Sequence, residues 1–391
     1  MDPGKNPYSP GAGAWPSALV GRDREINQFE IATRRLGAGL YDRSLLLSGL
    51  RGVGKTVLLN EFCSIAQRQG WGFQQIEATR SLHLPRIMAD RVRVALLRLS
   101  AGHRPADRAR RALGVLKSFK VRWNLPEGGD VEVGIDPIPG RADTGILQED
   151  LADLFTEVGR YARERKIGVL ITIDEAQYLR REQLGTLVMG LHQLSQRQLP
   201  LMVVAAGLPS LPALVGEARS YAERLFTFIK INSLLPEEAA TALTIPARAH
   251  DVRWHTDALD RIVDETAGYP YFLQEFGKQA WNFAAGPHQI DLKNVKNASP
   301  IAISALDTGF FSVRFDRTTE AERAYMAAMA QLGPGPHPSG EVASQMGKTT
   351  SQVSHHRNSV IAKGLCHAPR HGQIAFTLPM FDQFVRRRMS L

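Results

Sequence analysis

The chain has 391 residues, 43% apolar and 22% charged, with a formal net charge of +9. That composition excludes a disordered or collagen-like chain and leaves room for two or three globular domains. The two cysteines, Cys63 and Cys366, read as reduced thiols and exclude a cysteine-held zinc cluster; with no run of 18 apolar residues and no apolar signal core, a cytoplasmic protein with no membrane contact is expected.

Arginines number 37 against 11 lysines. The planar guanidinium suits phosphate and guanine, although coding bias gives the same excess. Met1–Ser17 holds four prolines and three glycines and predicts a flexible tail (1–17). An α/β domain is expected over 18–233. It starts with a helical pattern from Arg22 to Gly37, a buried strand at Ser44–Ser48 and a helix from Lys55 to Gln69. From Arg98 to Arg122 eight cations face one acid, Asp107, and Val131–Asp136 alternates like an edge strand. Residues 98–145 thus form a basic insertion, either a phosphate-backbone contact or an exposed amphipathic helix. A helix from Leu147 to Arg165 and buried strands at Ile167–Ile173 and Leu201–Ala206 complete a parallel, two-face-covered sheet. Pro236 followed by Glu237 and Glu238 opens a helical region, 234–300. In the last segment, 301–391, Thr319–Glu322 is a capping box, and helices are expected to Leu332, over Ser339–Met346 and over Thr350–Lys363. A hairpin pairs Leu365–Ala368 with Ile374–Leu378.

Two motifs carry chemistry. Gly49-Leu-Arg-Gly52-Val53-Gly54-Lys55-Thr56 fits G-x-x-x-x-G-K-[ST] between a strand and a helix. Backbone N–H groups of Gly49, Gly52, Val53, Gly54 and the first helical residues through Val57 can wrap phosphate oxygens. Lys55 reaches the β and γ oxygens of ATP, and the Thr56 hydroxyl is a ligand for Mg²⁺. Leu170-Ile-Thr-Ile-Asp174-Glu175 ends a buried strand in two acids. Asp174 serves Mg²⁺ and Glu175 orients or deprotonates the attacking water. Together they predict an ATPase. No Gly-x-Ser-x-Gly elbow or Glu-x-x-His pattern suggests another chemistry.

With Val20-Gly21-Arg22 ahead of the loop, Asp174-Glu175, a helical lid and a C-terminal helix-turn-helix, residues 19–391 resemble AAA+ P-loop ATPases of the initiator (origin-recognition) clade and the related STAND ATPases. The resemblance implies a P-loop parallel sheet, a helical lid and an α+β winged helix-turn-helix. It implies that Val20, Gly21 and Arg22 contact adenine, and that Arg224, in Glu223-Arg-Leu-Phe226, acts across a homo-oligomer boundary. Two positions depart from it. The polar residue at the end of the third core strand falls near Gly207, which has no side chain. The lid arginine falls near Tyr271, and Gly268-Tyr-Pro270 looks like the STAND form, whose proline packs near the adenine. Slow or partner-stimulated hydrolysis follows.

In the winged helix, Val353, Val360 and Ile361 should face inward and Gln352, His355, His356 and Ser359 outward, with Arg357 undecided. Arg370 and His371 sit at the wing tip. From Thr319 on, eight cations outnumber four acids. The expectation is an ATP-driven switch on double-stranded DNA; the alternative is a STAND-like signalling ATPase whose winged helix docks a protein partner.

Overall fold

The structure, a computed structural model, describes residues 1–11, 13–100, 107–126, 135–284 and 288–391. The chain divides into two compact units: a sheet unit, Asp23–Ser48 with Lys55–Lys230, and a helical unit, Met1–Arg22, Gly49–Gly54 and Ile231–Leu391.

The sheet unit begins with α1 (Asp23–Gly37), β1 (Ser44–Gly49), α2 (Lys55–Arg68) and β2 (Gly72–Glu77). α3 (Leu84–Ser100), α4 (Asp107–Arg122), α5 (Leu147–Glu164) and β3 (Val169–Asp174) follow. α6 (Arg181–Gln196), β4 (Leu201–Gly207), α7 (Leu211–Ala218) and β5 (Phe226–Ile231) complete it. The sheet order is β2-β3-β4-β1-β5, and β2–β3, β3–β4 and β1–β4 pair in parallel. Every residue of β1 and β4 is buried, as a strand covered on both faces requires. β2, at an edge, instead alternates buried and more exposed positions. The chain leaves β1 for the far edge and later returns to β5 on the other side. β1 is therefore the topological switch point, and the loop at its C-terminal end lies where such sheets take ligands.

α3 and α4 pack on this core. Ala112, Leu116 and Phe119 are fully buried in the same apolar cluster as Leu154 and Phe155 of α5. α4 is thus a packed helix. Arg108 pairs with Glu164 at 3.1 Å, Arg111 with Glu157 at 3.4 Å, and Arg98 lies over the Phe73 ring. Part of the basic insertion's charge is spent inside the fold. Residues 131–134 of the expected edge strand lie outside the described residues.

In the helical unit, α8 (Pro236–Arg248), β6 (Arg253–Trp254), α9 (Thr256–Thr266), α10 (Pro270–Phe283), β7 (Gln289–Ile290) and α11 (Leu292–Leu306) come first. The N-terminal segment is held on them, which corrects the expectation of a flexible tail. Tyr8 is 3% exposed, its hydroxyl bonds Leu243 O and accepts from Trp254 Nε1, and Asp2 O accepts from Trp281 Nε1. Asn6 Nδ2 adds bonds to Lys278 O and Asn282 Oδ1, both at 2.9 Å.

A boundary at 300 is also corrected. α11 runs through Pro300 to Leu306 and passes into a π-helical turn, Asp307–Ser312, and α12 (Val313–Phe315). α13 (Glu320–Leu332), β8 (His337–Pro338), α14 (Ser339–Gln345), α15 (Thr350–Ala362), β9 (Cys366–His367), β10 (Gln373–Phe376) and α16 (Phe381–Met389) follow. β8, β10 and β9 form a small antiparallel sheet with Phe376 opposite Cys366, the expected hairpin. Among the described residues no helix is long and apolar enough to cross a membrane.

Candidate functional site: a phosphate loop and its acids

The loop after β1 turns on two glycines in the left-handed region, Gly52 at φ 84° and Gly54 at φ 94°. A Cβ on Gly54 would meet nothing within 4 Å, so its backbone faces open space. Val53 is buried and Lys55 is 6% exposed as the first residue of α2. Thr56, next on the helix, is exposed, and Val57 is half-buried. The N-terminal turn of a helix, with its dipole, favours an anion there.

β3 delivers Asp174 at its C-terminal end. The Thr56 hydroxyl donates to Asp174 Oδ2 at 2.5 Å, and Asp174 Oδ1 accepts from Glu175 N at 2.8 Å. Two oxygens this close need only a small shift to share one Mg²⁺, whose neighbouring ligands stand about 2.9 Å apart. Glu175 sits in the left-handed region at φ 50°, a costly conformation for a residue with a Cβ. It starts the 3-10 turn Ala176–Tyr178, and its Oε2 accepts from Gln177 Nε2. Gln177 Oε1 in turn accepts from Leu208 N at 3.0 Å. Sequence reasoning passed over Gln177. Its signal was the gap left by Gly207, which a side chain from another element had to fill.

In the helical unit Gly21, at φ 68°, admits no side chain: a Cβ would come within 2.6 Å of Glu238 and 2.9 Å of Leu234. Arg22 is buried, and its guanidinium donates to Val53 O at 3.0 Å and Asn232 O at 2.8 Å. It braces the phosphate loop and also donates to Gly21 O at 2.9 Å, so its charged group is engaged within the fold. Pro270 is the first residue of α10 and half-buried. The lid residues nearest the loop are the tyrosines beside it, since a Cβ on Gly52 would lie 3.0 Å from the Tyr269 ring and 3.2 Å from Tyr271 Cβ. Tyr269 is fully buried, and its hydroxyl finds no hydrogen-bond partner among the described residues. Burial raises its pKa, with Arg314 and Arg51 acting against that rise. Tyr271 stacks on Phe310 at 4.6 Å, and Arg314 lies over Phe310 at 4.3 Å. Burial and the charge of Arg51 both lower the Arg314 pKa.

Arg224 ends the 3-10 turn Ala222–Arg224, exposed, and its guanidinium pairs with no acid among the described residues. On α15, Val353 and Val360 are buried and Gln352 and His355 exposed, as expected, but Ile361 and His356 are intermediate. Ser359 corrects the outward assignment: its hydroxyl bonds Glu322 Oε1. Arg357 resolves inward, donating to Ser339 Oγ and Gln373 O. Arg370 and His371 are exposed at the hairpin turn.

A parallel sheet with a glycine-rich loop after β1, at its switch point, and two acids at the end of β3, one strand removed, defines a P-loop nucleotide-binding fold. Residues 18–204 match the AAA ATPase domain family, in agreement with the P-loop fold of the sheet unit. Residues 308–385 match a domain family of unknown function. The chain is similar along 97% of its length to the Walker-type ATPase PABY2304 of Pyrococcus abyssi (98% of that chain, 14% identity, TM-score 0.58), a likeness of fold. Weaker similarity links it to the RuvB Holliday junction branch migration motor of Thermotoga maritima (96% of this chain, 97% of that one, 14% identity, TM-score 0.48). It extends to the ORC1 protein of Aeropyrum pernix, solved in complex with DNA (95% and 94%, 14% identity, TM-score 0.45). No curated protein matches the chain in sequence.

The residues present fit a nucleoside triphosphate. The loop offers an open glycine backbone, and Thr56 and Asp174 present a paired oxygen set for a divalent cation.

Proposed function

We propose that the protein hydrolyses ATP and uses the nucleotide state to control an oligomer whose C-terminal region, read as a winged helix, binds duplex DNA. The observation that carries this reading is the Thr56–Asp174 hydrogen bond with Glu175 adjoining it on the same strand end. In this reading Gly49, Gly52, Val53, Gly54, Lys55, Thr56 and Val57 hold the phosphates, and Val20, Gly21 and Pro270 border the base. Mg²⁺, held by Thr56 and Asp174, would neutralise charge on the phosphate oxygens. Glu175 takes the proton of a water whose oxygen attacks the γ-phosphorus. The bond to the bridging oxygen breaks, and ADP and inorganic phosphate leave. Arg224, exposed and paired with no acid among the described residues, is the residue to reach a neighbouring copy's nucleotide. A cytoplasmic setting fits two buried, free thiols.

One observation favours the alternative, a STAND-like signalling ATPase whose C-terminal region docks a protein. Arg357 is turned inward, and Arg387 is engaged with Asp307 at 2.7 Å, so fewer cations remain for phosphates. The test is ATP hydrolysis by the purified chain, with and without duplex DNA, at low and high salt, beside Lys55→Ala and Arg224→Ala. DNA stimulation that salt abolishes, and a specific activity that rises with protein concentration only when Arg224 is present, support the DNA-coupled oligomer. A slow rate indifferent to DNA transfers the reading to the signalling form. Nucleotide affinity unchanged in Lys55→Ala overturns the site itself.

A further inference from the structure

β4 ends at Gly207, which pairs with Ser48, the residue that precedes the phosphate loop. In a parallel sheet that position faces the ligand edge, and a side chain there would stand beside the bound phosphates. Gly207 offers none, and it has no room for one: a Cβ would come within 2.5 Å of Gln177 Oε1 and 2.9 Å of Leu211 Cδ2. The place is taken by Gln177, whose side chain arrives from the 3-10 turn after β3.

The Gln177 amide is used at both ends. Its oxygen is fixed by the Leu208 N–H at 3.0 Å, just past the end of β4. Its nitrogen donates to Glu175 Oε2, the carboxylate at the end of β3. An amide so held cannot turn over without breaking both bonds, because it would present oxygen to carboxylate and nitrogen to N–H. Glu175 needs such a hold. Its backbone is in the left-handed region, outside both β3 and the 3-10 turn that follows.

We propose that Gln177 is the positioning residue of the hydrolytic carboxylate, carrying out from the turn after β3 the work that Gly207 cannot do from the end of β4. This rests on the hydrolytic role proposed for Glu175. The amide also ties the carboxylate to the end of β4, the strand beside β1, so a displacement of either strand end is felt at Glu175.

The test uses the full chain, with kcat and KM for ATP and the dissociation constant of a fluorescent ATP analogue. Wild type is compared with Gln177→Ala, Gly207→Ala, their double variant and Glu175→Gln. Gln177→Ala is expected to lower kcat by roughly 10- to 100-fold, as lost orientation does, with KM and analogue affinity changed less than about twofold. Gly207→Ala, which must displace the Gln177 amide, gives the same signature. The double variant is no slower than Gln177→Ala, because both substitutions remove one interaction. Should Gln177→Ala fold poorly, Gln177→Met keeps the volume without the amide and carries the same expectation. A kcat within twofold of wild type in the Gln177 variants, while Glu175→Gln abolishes turnover, overturns the positioning role and leaves the hydrolytic reading intact. Wild-type turnover in Glu175→Gln overturns both. Losses in kcat that simply add in the double variant also overturn it.

Discussion

Tyr269 shows what one buried atom can signal. Its ring is fully enclosed beside Gly52, yet its hydroxyl meets no hydrogen-bond partner among the described residues. Burying an unsatisfied hydroxyl costs about 1–3 kcal/mol, a cost a bound phosphate oxygen would remove. Tyr269→Phe is therefore expected to keep or raise the melting temperature without nucleotide and to weaken ATP binding by about tenfold. Calorimetry and titration measure both, and unchanged affinity would show that the hydroxyl does not serve the nucleotide. Residues of this kind were not legible in the sequence. Lys55, Thr56, Asp174 and Glu175 announce themselves by spacing, because the chemistry needs them on consecutive loop and strand-end positions. Gln177 and Tyr269 acquire meaning only when the fold brings Leu208 or Gly52 against them. Arg22 is a further case: its guanidinium closes on two backbone carbonyls that the sequence does not place near it.

At the scale of elements, the interior strands were readable and the edge strands were not. β1, β3 and β4 are apolar runs covered on both faces. β2, with Gln74 and Gln75, and β5, with Lys230, mix polar residues into a period of two and resemble loop sequence. The capping box of α13 was legible, but not its second use. Glu322 accepts from Thr319 N at 2.7 Å, from Ser359 and from Lys363 at 2.6 Å, tying the first turn of α13 to α15. Burial alone would raise its pKa; the bonds from Lys363, Ser359 and Thr319 outweigh it and hold the carboxyl at about 2. An unfolded glutamate titrates near 4.3. The folded value is the lower one, so this stabilisation is complete above about pH 5 and is lost as pH falls toward 2. Equilibrium unfolding should find wild type more stable than Glu322→Gln by about 2–3 kcal/mol at pH 6, with less than half of that gap left near pH 2.5. A gap that does not narrow would show that the carboxylate's charge is not what joins the two helices.

Across the whole molecule, the order of sheet, helices and C-terminal segment followed from the sequence, but its division did not. Three structured segments and a loose tail were expected. The chain instead forms two units, because α11 continues through Pro300 into the π turn, and Tyr8 is drawn down onto Leu243 and Trp254. Pro300 lies inside α11 and does not end it.

The two cysteines fall one to each unit, Cys63 in the sheet unit and Cys366 in the helical unit, both buried. Burial pushes the Cys63 thiol up to about 11, against a bond to Thr172, and raises Cys366 as well. Alkylating reagents need an accessible thiolate, so each sulfur stays silent until its surroundings open. The chain thus carries two independent clocks, read by mass in one experiment. In mild denaturant, separate labelling rates at Cys63 and Cys366 would mean that the units open one at a time, and equal rates that they open together. Saturating ATP should slow the Cys63 clock by the stabilisation that binding confers. Native-state labelling of Cys63 at the speed of a free thiol would contradict its burial beneath β3.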